Sequence, residues 1–186
     1  MKFSMKKVTV LLADGFEEIE ALTVVDLLRR AKVYVDTVSL TDDYTVRGAH
    51  GIPVQTEDLI SEIDFKESDM IVLPGGMPGT TNLKEDENVR KAVQEAYDDG
   101  RYVAAICAAP TILADMGLLK GKRATCYPDM ESEIEDAYLT GAPVATDENI
   151  ITSQGVGTAI DFALKLIEVL VNEEKALEIA ESIVYK

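Results

Sequence analysis

The amino-acid sequence predicts a single α/β domain in which helices cover both faces of a mainly parallel sheet. Short apolar runs rich in β-branched residues alternate along the chain with segments whose apolar residues recur at helical spacing. Continuous apolar runs of this kind are typical of strands that a parallel sheet buries on both faces. The 186 residues, 47% of them hydrophobic, suffice for one full core, and we expect the domain to span residues 1–186.

The first three elements are predicted to form a strand–helix–strand unit. Lys7–Ala13 is a continuous apolar run and should be the first strand. After a turn, apolar residues recur at helical spacing from Ile19 to Arg30, which predicts a helix. Val33–Leu40 then predicts a second strand. The connection between the two parallel strands should be right-handed.

The middle of the chain predicts two further core strands and one helix. Thr41–Asp58 is polar and contains glycine, which favours a β-hairpin or an excursion beside the main sheet. Asp69–Leu73 predicts the third core strand, and the glycine-rich loop Pro74–Gly79 follows it. Val89–Tyr97 has helical spacing, and Tyr102–Ile106 predicts the fourth core strand.

The last third of the chain predicts a hairpin and two helices. Asp129–Asp136 is acidic and is interpreted as a solvated helix face. Val144–Thr152 contains two short β-like pieces around a turn. Apolar residues from Ile160 to Val171 fall on one face of a long helix, and Ala176–Val184 predicts a final helix.

Composition excludes several classes of function. The formal net charge of −16, from 18 basic and 34 acidic residues, disfavours nucleic-acid and membrane partners. No signal peptide or apolar span long enough to cross a bilayer is evident, and two cysteines cannot form a disulfide framework, so we expect a cytoplasmic location. A single histidine excludes a His-rich zinc site.

Cys107 is the first candidate for chemistry. An apolar run too short for a helix ends at Cys107, and a segment with helical spacing follows directly, which places the thiol in a strand-to-helix turn. The first N–H groups of a helix favour a thiolate and can lower a cysteine pKa to roughly 3.5–7.5. The competing interpretation is a small buried hydrophobe, as most free cysteines are.

Four loops are predicted to meet at the carboxyl end of the sheet, where sites form in open α/β folds. They are Asp14–Glu20, Pro74–Gly79, Cys107–Pro110 and Ser153–Thr158.

The first of these loops carries three glutamates. On a helix, Glu17 and Glu20 both share rows with apolar residues, whereas Glu18 shares a side with Asp26 and Arg29. A carboxyl in an apolar setting stays protonated to higher pH and could act as a general acid or base. Spacing alone leaves the choice between Glu17 and Glu20 open. Alternatively, the glutamates only complement the helix dipole.

Two glycine-containing loops could offer backbone amides. Gly75 and Gly76 could donate to an oxyanion near the thiol, although glycine pairs are common in turns. The segment Gly155-Val-Gly157-Thr158 could cradle an anion but lacks the dinucleotide-binding pattern, so we favour close packing of helix on sheet. Cys126 is interpreted as structural, and His50, on a polar loop, as a surface residue.

Five motifs, taken together and in this order, resemble the ThiJ/PfpI superfamily in the branch of DJ-one and its bacterial relatives. The resemblance runs from Val8 to about Leu170. The motifs are Ala13-Asp-Gly-Phe-Glu-Glu-Ile-Glu20, Val25-Asp-Leu-Leu-Arg-Arg-Ala31, Val72-Leu-Pro-Gly-Gly76, Ala105-Ile-Cys-Ala-Ala-Pro110 and Thr152-Ser-Gln-Gly-Val-Gly-Thr158. The resemblance implies a flavodoxin-like three-layer sandwich and a homodimer.

The resemblance also implies roles for individual residues. Cys107 would be the nucleophile at a strand-to-helix elbow, and Glu20 the protonated carboxyl beside it. The backbone of Gly76 and Ala108 would donate to an oxyanion. Residues expected at the periphery of the site are Gly75, Tyr127 and His50.

The activities implied are those of a glyoxalase or deglycase in stress defence. Such enzymes convert α-oxoaldehydes, or their thiol and amine adducts, to hydroxy acids, and the resemblance implies no metal or organic cofactor. The partner would be a small carbonyl compound or a glycated adduct. The alternative is a redox sensor or chaperone that uses oxidation of Cys107 without turning over a small substrate.

The chain departs from the family pattern at three positions. Protease-like members carry a histidine directly after the nucleophile, whereas Ala108 stands here, which argues against a peptidase. Many relatives have a histidine where this chain has Tyr127 before Pro128. His50 lies near the place where relatives often have an arginine.

Overall fold

A seven-stranded sheet forms the centre of the computed structural model, which describes residues 5–186. Residues 1–4 of the predicted 1–186 domain lie outside the described part. In chain order the elements are β1 (Lys7–Leu12), α1 (Glu18–Arg30), β2 (Tyr34–Ser39), β3 (Thr45–Arg47), β4 (Pro53–Gln55), β5 (Asp58–Leu59), β6 (Met70–Leu73), α2 (Gly79–Glu85), α3 (Glu87–Asp98), β7 (Tyr102–Ile106), α4 (Pro110–Asp115), β8 (Arg123–Ala124), β9 (Tyr138–Leu139), β10 (Val144–Asp147), β11 (Ile150–Ser153), α5 (Ala159–Leu170) and α6 (Glu173–Ser182).

The strand order brings together the loops that follow the carboxyl ends of four strands. The order is β10-β11-β7-β6-β1-β2-β5, and all neighbours are parallel except β10 and β11. The chain leaves β1 toward β2 on one side and later returns to place β6 on the other, so the order reverses at β1. Open α/β sheets bind ligands at such a reversal, outside the carboxyl ends of the strands.

Two apolar clusters lie on opposite faces of the sheet. Side chains alternate along β1, so Val10 and Leu12 contribute to the cluster that includes Phe162 of α5. Leu11 contributes to the other cluster, with Ile112 of α4 and residues of α2 and α3. Helices α1, α5 and α6 therefore cover one face, and α2, α3 and α4 the other. The predicted three-layer, mainly parallel α/β fold is confirmed.

Most predicted elements are confirmed, with ends that shift by one to three residues. The predicted excursion is the antiparallel hairpin of β3 and β4, and the hairpin after Gly141 is β10 and β11. The first helix begins at Glu18 and the last at Glu173. No helix among residues 5–186 combines the length and apolarity that crossing a bilayer needs.

Two predictions about helices are corrected by the structure. The helix α2 was not predicted, because Leu83 is the only large apolar side chain that it buries. The acidic segment does not form a regular helix; Pro128–Glu133 is a 3-10 helix without buried residues. Met130 is its one apolar side chain that packs against the core, which is too little to hold a longer helix there.

Candidate active site

Cys107 lies between the end of β7 and the start of α4 in a conformation that is rare for a non-glycine residue. Its φ is +67°, in the left-handed region. Two neighbours fix this backbone: the Cys107 N–H donates to the Ser153 carbonyl at 3.0 Å, and the Tyr127 N–H donates to the Cys107 carbonyl at 2.8 Å. A residue held in a strained conformation by surrounding structure is common at active sites.

Glu20 is fully buried beside Cys107. Glu17 is the N-cap of α1 and accepts a 2.9 Å hydrogen bond from the Glu20 N–H, which sets the first helical turn. The Gly75 N–H donates to Glu20 Oε2 at 2.9 Å. Glu20 Oε1 has no partner with hydrogen-bond geometry among residues 5–186, although the Cys107 thiol is near enough to stabilise the ionised carboxyl. The structure thus places Glu20 in the interior and uses Glu17 as a cap.

The Glu20 carboxyl and the Cys107 thiol each change the ionisation of the other. Burial raises the pKa of Glu20 to about 7, against hydrogen bonds from Cys107 and Gly75 that favour the carboxylate. Burial is the main reason that the pKa of Cys107 is raised to about 12, and the charge of Glu20 is the second. The backbone amides of Ala108 and Gly76 oppose this rise. A protonated Glu20 carries no charge, so its protonation favours the thiolate.

The prediction that a helix start lowers the thiol pKa is therefore wrong. The helix α4 contains only six residues and begins at Pro110, so its first turn does not include Cys107. The N–H groups that favour a negative charge on sulfur belong to Gly76 and Ala108, from two different loops.

Glycine is required at two positions in the loop after β6. A Cβ at Gly75 would lie 2.6 Å from both the Cys107 Cβ and Glu20 Oε2. Gly76 has φ +90°, and a Cβ there would lie 2.4 Å from the Glu17 backbone nitrogen. Bare backbone can therefore approach the thiol and the carboxyl closely enough to present its amides.

Glu18 is buried, contrary to the prediction that it lies on the polar side of the helix. The hairpin loop covers the start of α1, where the Ala49 N–H donates to the Phe16 carbonyl at 2.8 Å. Glu18 accepts hydrogen bonds of 2.7 Å from the His50 N–H and from the ring Nδ1. Burial opposes ionisation of Glu18, but the hydrogen bonds from the His50 ring and from backbone N–H groups, with the charge of His50, together outweigh it and hold the pKa of Glu18 below its usual value.

The side chain of His50 is 70% exposed, and its contacts are with Glu17 and Glu18 at the start of α1. The hydrogen bond to Glu18 raises the pKa of His50, and Nδ1 is 3.7 Å from Glu17 Oε1. Glu17, Glu18 and His50 bring three potential metal-ligand atoms within 4.8 Å of one another. The hydrogen bonds between His50 and Glu18 account for the arrangement of that pair.

Tyr127 and Gly155 form the remaining side of the site. A Cβ at Gly155 would lie 3.6 Å from the Tyr127 ring and 3.8 Å from the Cys107 sulfur, so Gly155 faces the site. A Cβ at Gly157 would meet nothing within 4 Å. The predicted packing of this glycine segment between helix and sheet is therefore wrong. Gly155 as part of the site was missed; its position after β11 was the available signal.

Cys126 is buried, and its thiol donates to the Tyr127 carbonyl at 3.3 Å. Burial, followed by the charges of Glu131 and Glu133, raises the pKa of Cys126 to about 11. Its environment is that of a structural cysteine, whereas Cys107 is only partly buried. Of the two thiols, only Cys107 combines access with backbone amides and a carboxyl.

Sequence comparisons identify the family and the relatives of this chain. The model of the DJ-1/PfpI family matches residues 6–169. DJ-1 homolog B of Arabidopsis thaliana is 39% identical over 188 residues, which cover 100% of this chain and 43% of that protein. A Schizosaccharomyces pombe protein named glutathione-independent glyoxalase DJ-1 is 33% identical over 182 residues, covering 92% of this chain and 94% of the relative.

A solved structure shows the same fold. Oxidised Toxoplasma gondii DJ-1 superposes with a TM-score of 0.92 at 38% sequence identity, over 97% of this chain and 98% of that chain. The family match covers most of the chain, and the structural likeness extends over nearly all of it. The chain belongs to the DJ-1/PfpI family.

Proposed function

We propose that the protein is a cysteine-dependent enzyme that converts α-oxoaldehydes, or their thiol and amine adducts, to hydroxy acids. The observation that carries the proposal is the fully buried Glu20, whose pKa is raised to about 7, beside the Cys107 thiol. A general acid or base works best with a pKa near the operating pH. The glyoxalase name of the fission-yeast relative supports the same reaction class.

The first step is addition of the Cys107 sulfur to the aldehyde carbon. The Glu20 carboxylate takes the proton of the Cys107 thiol as the carbon–sulfur bond forms and the carbonyl π electrons move to oxygen. Glu20 then passes that proton to the oxygen, which gives a hemithioacetal. The amides of Gly76 and Ala108, which favour negative charge at the sulfur, would also stabilise the developing oxyanion. No residue outside the two loops and α1 is needed for this step.

The later steps move one proton and add one water. The Glu20 carboxylate removes the proton from the former aldehyde carbon, and an enediol forms. Return of a proton to the neighbouring carbon gives a thioester of the hydroxy acid. Water then cleaves the carbon–sulfur bond, which releases the hydroxy acid and restores the thiol. The sum is one α-oxoaldehyde plus one water to one hydroxy acid, and the carboxyl both accepts and donates the proton.

Lactate formation from methylglyoxal tests this proposal. Wild type should produce lactate, and Cys107→Ser should lose at least about 100-fold in kcat/KM, because the nucleophile is absent. Cys126→Ser, which removes the other thiol, is the matched control and should retain turnover. Absence of lactate from wild type, or equal rates from wild type and Cys107→Ser, would refute the enzyme proposal.

A redox sensor is the second candidate function. The amides of Ala108 and Gly76 favour negative charge on the Cys107 sulfur and would also hold a sulfinate. A relative from Toxoplasma gondii has been solved in an oxidised form. Two equivalents of peroxide would oxidise the thiolate to sulfinate and be reduced to water. Intact mass after mild peroxide should show two added oxygens, absent in Cys107→Ser; an unchanged wild-type mass would remove this candidate.

We propose that a second copy of the chain covers the outer face of α1, so that the protein is a homodimer. Ile19 and Leu22 of α1 are 53% and 37% exposed, and Ile52 on the adjoining hairpin is 51% exposed. The bonds between Glu18 and His50 hold these two segments together. Ile19→Asp should shift the mass in light scattering toward the monomer, whereas Leu177→Asp on α6 should not. A wild-type monomer would contradict the proposal.

A further inference from the structure

The peptide group between Cys107 and Ala108 is held by a residue from outside the elbow. Its carbonyl oxygen, that of Cys107, accepts a 2.8 Å hydrogen bond from the Tyr127 N–H. Its N–H, that of Ala108, is one of the two backbone amides that favour negative charge on the Cys107 sulfur. The peptide is trans, so its C=O and N–H bonds point in opposite directions. The bond from Tyr127 therefore fixes the direction in which the Ala108 N–H points.

The second amide at the sulfur is held in the same way. The Gly75 carbonyl accepts a 2.9 Å hydrogen bond from the Glu17 N–H, and the same peptide group carries the Gly76 N–H. The Gly76 N–H also favours negative charge on the Cys107 sulfur. Each amide at the sulfur is thus backed by an N–H group from another segment, which is the start of α1 in one case and Tyr127 in the other.

A hydrogen bond to a peptide carbonyl also strengthens the N–H of the same peptide as a donor. Charge moves from nitrogen toward oxygen, and chains of hydrogen bonds strengthen each member by about 10–30%. The Tyr127 N–H, the Cys107–Ala108 peptide and the sulfur form such a chain. The chain ends on an atom that is charged in its reactive form, and hydrogen bonds to ionised groups are the strong ones. Donor strength therefore matters most at this atom.

The backbone of Tyr127 is itself anchored. Its φ of −58° and ψ of 131° are extended, and Pro128 disfavours the helical conformation for the residue before it. The 3-10 helix therefore begins after Tyr127. The Tyr127 carbonyl accepts hydrogen bonds from the Met130 N–H at 2.8 Å and from the Cys126 thiol at 3.3 Å. These contacts hold the residue whose N–H reaches the elbow.

We infer that Tyr127 is a positioning residue for the Cys107 sulfur, acting through its backbone N–H, which directs and polarises the Ala108 amide. In its catalytic consequence the inference rests on the proposed function, since the same amide would stabilise the oxyanion formed from an α-oxoaldehyde. Its effect on the thiol itself is independent of the substrate.

An ester bond at Tyr127 tests the inference, because it replaces the N–H by an oxygen atom and leaves the side chain unchanged. Incorporation of the α-hydroxy analogue of tyrosine at position 127 makes this change. The same analogue at Tyr138 is the matched control, since the Tyr138 N–H donates to the Lys122 carbonyl, also at 2.8 Å, and joins β9 to β8. Each ester removes one backbone hydrogen bond, so both should lower the thermal unfolding temperature by about 2–4 °C.

Alkylation by iodoacetamide, followed at Cys107 by mass spectrometry, reports the thiolate fraction. The ester at position 127 should react about three- to tenfold more slowly than wild type between about pH 6 and pH 9, because its Ala108 amide is a weaker and less well-directed donor. The ester at position 138 should stay within about twofold of wild type. A merely loosened elbow would expose the thiol and speed its alkylation. Unchanged or faster alkylation of the ester at position 127, or equal slowing in both esters, would overturn the inference.

Lactate formation from methylglyoxal separates failure of this inference from failure of the proposed function. If wild type forms lactate, the ester at position 127 should lower kcat by about three- to tenfold with little change in KM, because the amide acts on charge that develops in the transition state. If wild type forms none, the proposed function fails. The alkylation rates then still decide whether Tyr127 positions the Ala108 amide.

Discussion

The Gly75 N–H donates a 2.9 Å hydrogen bond to Glu20 Oε2 and so fixes the buried carboxyl beside the Cys107 sulfur. A side chain at Gly75 would collide with both Glu20 and Cys107. Helix α1, the loop after β6 and the elbow after β7 thus meet at one point, because a bare stretch of backbone lies between the carboxyl and the thiol. Because the carboxyl and the thiol are held close together, each changes the pKa of the other, and the first two predictions concern these pKa values.

Protein stability should fall as pH rises through neutrality, because Glu20 is harder to ionise when folded. Burial raises its folded pKa to about 7 from an ordinary value of 4.5. This contribution to stability is fully present below the unfolded pKa and is lost as pH rises through the folded one. The free energy of unfolding should decrease by roughly 3 kcal/mol between about pH 4 and pH 8 from this group.

Denaturant titrations of wild type and Glu20→Gln check this pH dependence. The glutamine variant should lack the decrease, since it has no ionisable group at that position. Glu135→Gln, at an exposed position, is the control and should behave as wild type. An identical pH profile in Glu20→Gln would show that the carboxyl is not the group that titrates.

The Cys107 thiol should become more acidic when the charge of Glu20 is removed. That charge adds to burial in raising the thiol pKa, while the Gly76 and Ala108 amides oppose the rise. Glu20→Gln leaves the amides in place and removes the repulsion, so the alkylation rate with iodoacetamide should rise at lower pH than in wild type. An unchanged pH profile of alkylation would mean that the two groups do not interact.

Loss of the His50 ring should destabilise the protein more in acid than in alkali. The hydrogen bond and charge of Glu18 raise the pKa of His50 above 6.5. The charged pair therefore stabilises the fold below the unfolded pKa, and this stabilisation is lost as pH rises through the raised folded value. His50→Gln should lower the thermal unfolding temperature more at about pH 6 than at about pH 9, as calorimetry would show.

Alanine at Gly76 should distort the loop whose amide favours negative charge on the Cys107 sulfur. Its Cβ would lie 2.4 Å from the Glu17 nitrogen and 2.5 Å from the Gly15 carbonyl oxygen, in addition to the cost of a positive φ. Gly117→Ala is a suitable control, because Gly117 has φ +75° with nothing within 4 Å. Gly76→Ala should lose turnover and more stability than Gly117→Ala, whose cost should be about 1–2 kcal/mol. Equal losses of stability in the two variants would show that a Cβ at Gly76 does not collide with its neighbours.

The sequence predicts the sheet well because its core strands are buried on both faces. Lys7–Leu12 and Tyr102–Ile106 are continuous apolar runs, and such runs leave little choice of structure. The helix α2 escaped prediction because it buries one large apolar residue, and its place is set by the preceding loop. Tertiary contacts determine whether such short helices form, and hydrophobic periodicity does not detect these contacts.

The site was predictable only in part, for a similar reason. Helical periodicity placed Glu17 and Glu20 equally near the core. Contacts from other parts of the fold distinguish them, because Glu17 caps α1 whereas Glu20 accepts a hydrogen bond from the Gly75 N–H. Glu18 was assigned to the polar side because the hairpin that covers it lies elsewhere in the sequence. The thiol pKa was predicted in the wrong direction, because burial of Cys107 and then the charge of Glu20 outweigh the backbone amides, and periodicity reveals neither the burial nor the neighbouring carboxyl.

The hydrogen bond from the Cys107 N–H to the Ser153 carbonyl ties the elbow to the end of β11. During synthesis, β7 leaves the ribosome well before β11, so the elbow has no such support when its own residues first appear. A partly made chain therefore carries Cys107 as an ordinary thiol without its complete surroundings. The surroundings of Cys107 are complete only once β11 has joined the sheet, so their assembly belongs to a late stage of folding.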